Sequence, residues 1–201
     1  CDGGMKEGTV KFANEEGSST DKHDFNANGI CTHCGILDVD HVERDADGFY
    51  LVSDAKTLLW IAELIKQDPS ISFKLTNDID FNAYPTVKPM ASFQKPFSGT
   101  FDGQGHKITV GFTQVIEDDG TAASPTEVSP YATLFFNLLK GSVVKNLITD
   151  GTITTNQKFA AGIAGDCAGL IENCASYVTI ESSLEGDGTH GGIAGRGLEG
   201  G

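Results

Sequence analysis

Two copies of one short pattern decide the fold: Val144-Lys145-Asn146-Leu147 and, 27 residues further along, Ile171-Glu172-Asn173-Cys174. The same offset places Thr152-Ile153 on Thr179-Ile180. Gly162-Ile163-Ala164-Gly165 recurs as Gly192-Ile193-Ala194-Gly195 at an offset of 30. A period of 27 to 30 residues, with short strands and no helix in each unit, predicts an all-β solenoid. Leucine-rich repeats have a similar length, but their leucine–asparagine consensus is missing here.

In a parallel β-helix each coil of short strands stacks on the next, so equivalent residues form ladders about 4.8 Å apart. The repeat register puts two residue pairs inside the apolar column, Val144 over Ile171 and Leu147 over Cys174. Asn146 over Asn173 is expected at a bend, because asparagine tolerates a positive φ and its amide can bond along the stack.

One helix is predicted ahead of the repeats, after a short strand at residues 49–52. Ser53 and Asp54 offer an N-cap and a first-turn acid, and Pro69 ends the helical pattern, which gives a helix over residues 53–67. Its apolar residues recur on one face, namely Ala55, Leu58, Leu59, Ala62 and Ile65. A β-helix exposes an open core at its end, so this amphipathic helix is predicted to cap the N-terminal end.

The chain is strongly acidic, with 14 basic and 28 acidic residues among 201. A net charge of −14 repels phosphate backbones, so nucleic-acid binding is not expected. Hydrophobic residues make up 39%, which is enough for a core. The longest apolar run, residues 58–62, is far shorter than the roughly 20 residues of a membrane span, so no transmembrane segment is expected.

Residues 1–48 differ from the rest of the chain. They contain eleven acidic and four basic residues, no Trp or Tyr, and no periodic apolar pattern. Such a segment cannot bury much core by itself. The sequence therefore predicts a small irregular N-terminal segment, 1–48, followed by a β-helix over 49–201.

Several motifs together resemble the GLUG-motif repeat proteins of bacterial cell surfaces. They are the strand and helix from Tyr50 to Leu64, Leu75-Thr76-Asn77-Asp78-Ile79-Asp80, residues 97–108 (FSGTFDGQGHKI), and the repeats at 144–147, 162–165 and 171–174. The resemblance covers about residues 49–201. It implies a right-handed parallel β-helix, secretion to the cell surface, and adhesion to a glycan or protein. It brings no shared catalytic residues.

Cys31-Thr32-His33-Cys34-Gly35 is a CxxC knuckle whose two thiolates can chelate one tetrahedral Zn²⁺. His23 is the best third ligand, and the run from His23 to Gly35 resembles zinc-ribbon segments that precede such β-helices. Cys1, His33 or His41 could supply the fourth ligand. A Cys31–Cys34 disulfide and free thiols remain open alternatives. Cys167 and Cys174 are expected to be small buried hydrophobic residues of the core.

The sequence starts at Cys1 rather than at Met. A mature bacterial lipoprotein starts in this way, because the signal peptidase cuts just before the lipid-modified cysteine. The interpretation is a possible lipid anchor at Cys1, with a fragment boundary as the alternative.

Carboxylates are the candidates for hydrolase or lyase chemistry: Asp78, Asp80, Asp102, Glu117, Asp118 and Asp119. The bases on the strands, Lys107 and Lys145, fall in different coils and lack an Arg partner. His106, at a strand start, is expected to be structural or exposed. No catalytic residue is therefore predicted.

The leading hypothesis is a non-catalytic, secreted or surface-anchored β-helix that displays a rigid face for adhesion. Residues 111–130 form a loop-like insertion between coils, where binding would be sought first. The alternatives are a carbohydrate-active β-helix enzyme (a polysaccharide lyase or hydrolase, or a fragment of one) and a structural stalk.

Overall fold

The computed structural model describes residues 24–27, 29–32, 38, 40–81, 96–114, 131–186 and 188–199. The chain divides into two compact units, Cys1–Glu43 and Arg44–Gly201. Residues 44–48, which the sequence analysis assigned to the N-terminal segment, belong to the second unit. The assignment of 1–48 and 49–201 as domains stays a prediction.

The second unit consists mainly of short strands. In chain order its described elements are β1 (Tyr50–Val52), α1 (Ala55–Gln67), β2 (Phe73–Leu75), β3 (Ile79–Asp80), β4 (Thr100–Asp102), β5 (Lys107–Gln114), β6 (Tyr131–Leu138), β7 (Val143–Lys145), β8 (Ile148–Thr155), β9 (Phe159–Cys167), β10 (Leu170–Glu172), β11 (Ala175–Ser182), β12 (Thr189–Gly191) and β13 (Ala194–Gly197).

The strands form three sheets of parallel strands. The first has the order β1-β2-β4-β7-β10 and the second the order β11-β8-β5-β3. In the third sheet, β9 pairs with β6 and with both β12 and β13. In three successive turns, β4–β6, β7–β9 and β10–β13, the chain passes through all three sheets, which makes a β-solenoid of about three turns. The predicted parallel β-helix is confirmed.

The stacking follows the register that the repeat predicted. Val144 pairs with Ile171, and Ile153 pairs with Ile180, at the offset of 27. Ala164 pairs with Ala194 at the offset of 30. The offset grows by three because three residues separate β8 from β9, whereas six separate β11 from β12. The extra residues therefore sit at one corner and leave the stacked strands aligned.

The core of the first sheet is one continuous row of inward side chains, in stacking order Tyr50, Phe73, Phe101, Val144 and Ile171. The Phe73 and Phe101 rings are stacked, with centroids 4.5 Å apart. Phe97 and Phe135 pack against this pair from the side. Aromatic rings stacked along the solenoid axis thus fill this part of the core.

The predicted asparagine ladder is confirmed. Asn146 and Asn173 both have a positive φ, 52° and 51°, at the bend between the first and second sheets. The Nδ2 of Asn173 donates to the Oδ1 of Asn146 at 2.6 Å, and the Nδ2 of Asn146 donates to the Oδ1 of Asp102 at 2.9 Å. Each bend is therefore bonded to the bend of the preceding coil through its side chain.

The helix α1 connects the edge strand β1 to β2, so it stands at the β1 end of the stack. Its N-cap is Asp54, whose Oδ1 accepts from the backbone N–H of Thr57 at 2.8 Å. Leu58, Ile61 and Ile65 are almost completely buried, whereas Leu59 is half-buried and Trp60 is buried. The buried face is thus shifted toward Ile61 relative to the prediction. No helix in the described ranges is long and apolar enough to cross a bilayer.

The last coil is less buried than the sequence analysis expected. Val144 and Leu147 are fully buried, but Ile171 and Cys174, which stack on them, are only half-buried. Cys167 is half-buried too. The expectation of two buried core cysteines is therefore wrong. Ile171 and Cys174 belong to the coil of β10 and β11, which are edge strands, so among the described residues no further strand lies over their inward side chains. Cys167 is the last residue of β9, which is paired on both sides, so this reason does not apply to it.

Candidate functional site

The candidate site is the outward surface of the second sheet, which we call the outer face. It consists of Lys107, Thr109, Asp150, Thr152, Tyr177 and Thr179. Alternation along the strands places them there, because their neighbours Ile108 and Thr149 are fully buried on the inward side. The register stacks Thr109, Asp150 and Tyr177 in one row across three coils. The pleat thus holds these side chains on a rigid surface.

An ion pair links two coils at the centre of the outer face. The Nζ of Lys107 on β5 lies 2.8 Å from the Oδ2 of Asp150 on β8. Burial is the largest influence and raises the pKa of Asp150, but the hydrogen bonds from Lys107 and Thr109 and the Lys107 charge together outweigh it, so the net pKa of this carboxyl is lowered. Asp150 in turn raises the pKa of Lys107. Both groups are therefore charged at neutral pH.

A second pair flanks the outer face at the start of β5. The Oδ1 of Asp78 accepts from the backbone N–H of Lys107 at 3.0 Å and lies 3.2 Å from the Nδ1 of His106. The backbone N–H of Lys107 and then His106 lower the pKa of Asp78. This contact ties the turn before β3 to the turn before β5, and it leaves a negative charge beside the central ion pair.

Tyr177 is the most exposed large hydrophobic side chain among the described residues, with 72% of its surface accessible. It stands directly beyond Asp150 in the stacking row. Thr152 and Thr179, also exposed, form the neighbouring row. The Tyr177 ring thus shares the outer face with threonine hydroxyls, the Asp150 carboxylate and the Lys107 ammonium.

A shallow groove borders the outer face at the bend between the first and second sheets. Its lining is Gly105, Asn146, Ile148, Asn173, Cys174 and Ala175. Ile148 and Ala175 contribute apolar side chains to this lining, and Asn146 and Asn173 of the asparagine ladder contribute amide groups. Burial raises the pKa of the Cys174 thiol, so this thiol stays protonated at neutral pH. The groove therefore offers amide groups and apolar surface rather than a nucleophile.

The carboxylates that the sequence analysis singled out do not converge on one point. Asp78 and Asp80 lie at the edge of the outer face, whereas Asp102 belongs to the first sheet and starts the asparagine ladder. Lys145 lies 3.5 Å from Asp102, on that same first sheet. Glu117, Asp118 and Asp119, with most of the insertion 111–130, lie outside the described residues.

The CxxC knuckle is described only at its first cysteine. Cys31 is buried, and it pairs with Phe25 in a small antiparallel hairpin. The ring of His41 packs on the turn of this hairpin, since a Cβ on Gly29 would clash with its Cγ. The other predicted zinc ligands, His23 and Cys34, lie outside the described residues. The described side chains alone form no cluster of three or more metal ligands, and the zinc site stays a prediction.

Sequence reasoning missed Asp150 and Tyr177 as candidate site residues. The signal was available, because the offset of 27 that aligned Val144 with Ile171 also places Tyr177 on Asp150. Alternation then puts both on the outward side of the strand. The pairing of Lys107 with Asp150 had no such signal, since it joins residues that are not equivalent in the repeat.

Comparison with known proteins supports the fold alone. No protein-family model matches the chain, and no curated protein sequence matches it. The chain is similar in structure to a putative immunoglobulin A1 protease from Bacteroides ovatus, with a TM-score of 0.53 and 18% identical residues. The match covers 77% of this chain and 55% of that protein, so the chain spans about half of its length. This is the similarity expected of two chains that share a β-solenoid architecture.

Proposed function

We propose that this protein is a non-catalytic β-helix of the bacterial cell surface that binds a glycan through its outer face. The observation that carries the proposal is Tyr177, an exposed ring stacked in register beyond the Lys107–Asp150 ion pair. The ring offers an apolar face for the C–H surface of a sugar. The charged pair and the threonine hydroxyls offer donors and acceptors for sugar hydroxyls.

The rigidity of the outer face supports a role in ligand binding. Its side chains come from β5, β8 and β11, whose backbones are bonded to one another over eight register pairs on each side of β8. A preorganised surface avoids much of the entropic cost of ordering loops on binding. An elongated ligand lying along the stack would meet equivalent positions about 4.8 Å apart, which suits a polymer with a repeating structure.

The carboxylates support a binding role rather than catalysis. A glycosidase needs one carboxyl with a raised pKa as general acid beside one that stays ionised. The pKa values of Asp150, on the outer face, and of Asp78, which flanks it, are both lowered. Both groups are therefore hydrogen-bond acceptors at neutral pH. A carbohydrate-active enzyme and a structural stalk remain the alternatives that the experiment must separate.

The cell-surface setting belongs to the proposal as well. It draws on the GLUG-type motifs over residues 49–201, whose resemblance implies secretion and a right-handed coil. The acidic composition, with a net charge of −14, supports a partner that is not a nucleic acid.

The test is titration of the protein against a panel of neutral, amino and acidic polysaccharides. Tyr177→Ala should weaken binding at least tenfold, whereas Tyr177→Phe should retain most of it because the ring face remains. Lys140→Ala, an exposed change on the turn after β6, is the matched control and should bind as the parent does. Binding that survives Tyr177→Ala would overturn the assignment to the outer face. No binding to any polysaccharide would favour a stalk, and release of reducing ends or unsaturated sugars would favour an enzyme.

A further inference from the structure

The strands of the second sheet have more negative than positive charge on their outward side. Their carboxylates are Asp80 on β3, Asp150 on β8 and Glu181 on β11, and Lys107 on β5 is the one cation of these four strands. Asp78 adds a fourth carboxylate beside the outer face. The other cations of the described ranges lie on α1, on the first and third sheets and in connecting segments.

Three of these carboxylates surround the Lys107 ammonium. Asp150 is its nearest partner, with Oδ2 at 2.8 Å, and it is the main cause of the raised pKa of Lys107. The charges of Asp78 and Asp80 raise that pKa further, so both lie within reach of the same ammonium. One positive charge against three negative charges leaves the centre of the outer face with an excess of two negative charges.

These charges are part of one row of outward side chains across four coils. In stacking order the row is Asp80, Thr109, Asp150 and Tyr177. Adjacent positions are about 4.8 Å apart, so the row is roughly 14 Å long. It alternates carboxylate, hydroxyl and carboxylate before it reaches the exposed ring of Tyr177. A ligand along this row therefore meets a negative charge at every second coil.

The sign of this charge discriminates between classes of glycan. A uronic acid or sulfated polymer is repelled by the carboxylates, and a neutral polymer gains only hydrogen bonds from them. A protonated amine gains charge-assisted hydrogen bonds to carboxylates. The face of a tyrosine ring attracts the same cation. Charge complementarity therefore favours a ligand with ammonium groups on its sugar rings.

We propose that the outer face selects a glycan made of sugars with free amino groups, whose ammonium groups lie beside Asp80 and Asp150 while one sugar ring packs on Tyr177. This inference rests on the proposed function, which it narrows from glycans in general to cationic ones. The ion pair with Lys107 holds the Asp150 carboxylate in place before the ligand arrives. The surface is thus preorganised in charge as well as in shape.

The test compares three hexasaccharides by isothermal titration calorimetry at about pH 6, where the carboxylates and the sugar amines are both charged. They are β-1,4-linked glucosamine, its fully N-acetylated form, which has the same backbone without the charge, and a uronic acid hexamer. We expect the glucosamine hexamer to bind roughly tenfold more tightly than the acetylated one, and the uronic acid hexamer to bind most weakly. Added salt should narrow the difference, because it screens exposed charges.

Two matched variants locate the charge effect. Asp80→Asn removes an exposed carboxylate of the row and should weaken binding of the glucosamine hexamer about threefold, the size expected of one exposed ion pair, without changing binding of the acetylated hexamer. Glu63→Gln removes an exposed carboxylate from α1 and should change neither. Thermal unfolding verifies that both variants are folded.

Each alternative has its own outcome. Equal binding of the glucosamine and acetylated hexamers, or tightest binding of the uronic acid hexamer, would overturn this inference and leave glycan binding by the outer face intact. Equal weakening by Asp80→Asn and Glu63→Gln would overturn it in favour of a general attraction to an acidic chain. A lysine hexapeptide that binds as tightly as the glucosamine hexamer would overturn it in favour of a basic peptide. Absence of binding to every polysaccharide would reject the proposed function as well.

Discussion

The coil β7–β8 and the coil β10–β11 have the same pattern of residues but different surroundings. Val144 and Ile153 in the first coil are fully buried, whereas their partners Ile171 and Ile180 in the second are half-buried. The asparagines at the two bends have nearly the same φ. Local conformation thus follows the pattern, while burial follows the presence of a neighbour on each side. In a solenoid, one repeat can therefore be essential to stability while its equivalent is tolerant.

The largest expected effect comes from placing a charge at the equivalent inward positions. Val144→Asp buries an unpaired carboxylate between two coils and should lower the free energy of unfolding by several kcal/mol, a large part of a typical domain's stability of about 5–15 kcal/mol. Ile171→Asp can turn its charge to water and should cost less than about half as much. Urea unfolding followed by circular dichroism measures both. Equal losses would mean that the last coil is covered in solution.

The two ends of the described stack can be compared next, because α1 lies at one end and no described strand covers β10 and β11 at the other. Leu58→Ala removes a fully buried side chain of α1 and should lower the free energy of unfolding by about 2–5 kcal/mol. Leu59→Ala, one residue along the same helix, should cost less than about 1 kcal/mol because that side chain is half-buried. A similar loss for both variants would contradict the burial pattern of α1.

The bends allow a finer comparison. Asn146 bonds to both neighbouring coils through its side chain, whereas Asn173 bonds to one. Glycine keeps the positive φ without strain, so Asn146→Gly should lose about 1–2 kcal/mol and Asn173→Gly about half of that. Asn146→Ala should cost about 1–2 kcal/mol more than Asn146→Gly, because alanine resists the left-handed conformation. Thermal unfolding measures these losses. Equal losses of unfolding free energy for Asn146→Gly and Asn173→Gly would mean that the second side-chain bond of Asn146 adds no stability.

The smallest expected effect is on the loss of stability at low pH. Burial is the largest influence and raises the pKa of Asp102, but the hydrogen bonds from Asn146 and Gln104 and the Lys145 charge together more than offset it, so the net pKa is lowered. A carboxyl with a lowered folded-state pKa contributes stability above its unfolded pKa of about 3.9, and this is lost as the pH falls through the folded value. Asp102→Asn should therefore show a smaller loss of unfolding free energy between pH 5 and pH 2 than the parent. If the variant and the parent lose the same unfolding free energy between pH 5 and pH 2, the acid sensitivity comes from carboxyl groups other than Asp102.

The prediction of the candidate site from the sequence was incomplete, and particular residues show why. The register that puts Tyr177 on Asp150 follows from the offset of 27, so this row was predictable. The Lys107–Asp150 pair and the contact of Asp78 with His106 were not, because they join residues at different positions of the repeat. Cys174 was expected inside the core from its match to Leu147, yet it lines a groove.

The sequence by itself determined the solenoid, the strand register and the positive-φ asparagine bends. The physical reason is that alternation and bend preference are local properties, and a repeat carries them from coil to coil. Only the tertiary structure decided which side of α1 is buried, which coil is covered on both sides, and which charges meet on the outer face. Those features depend on neighbours that are distant in the chain, and equivalent residues acquire different environments when one coil has two neighbours and the next has one.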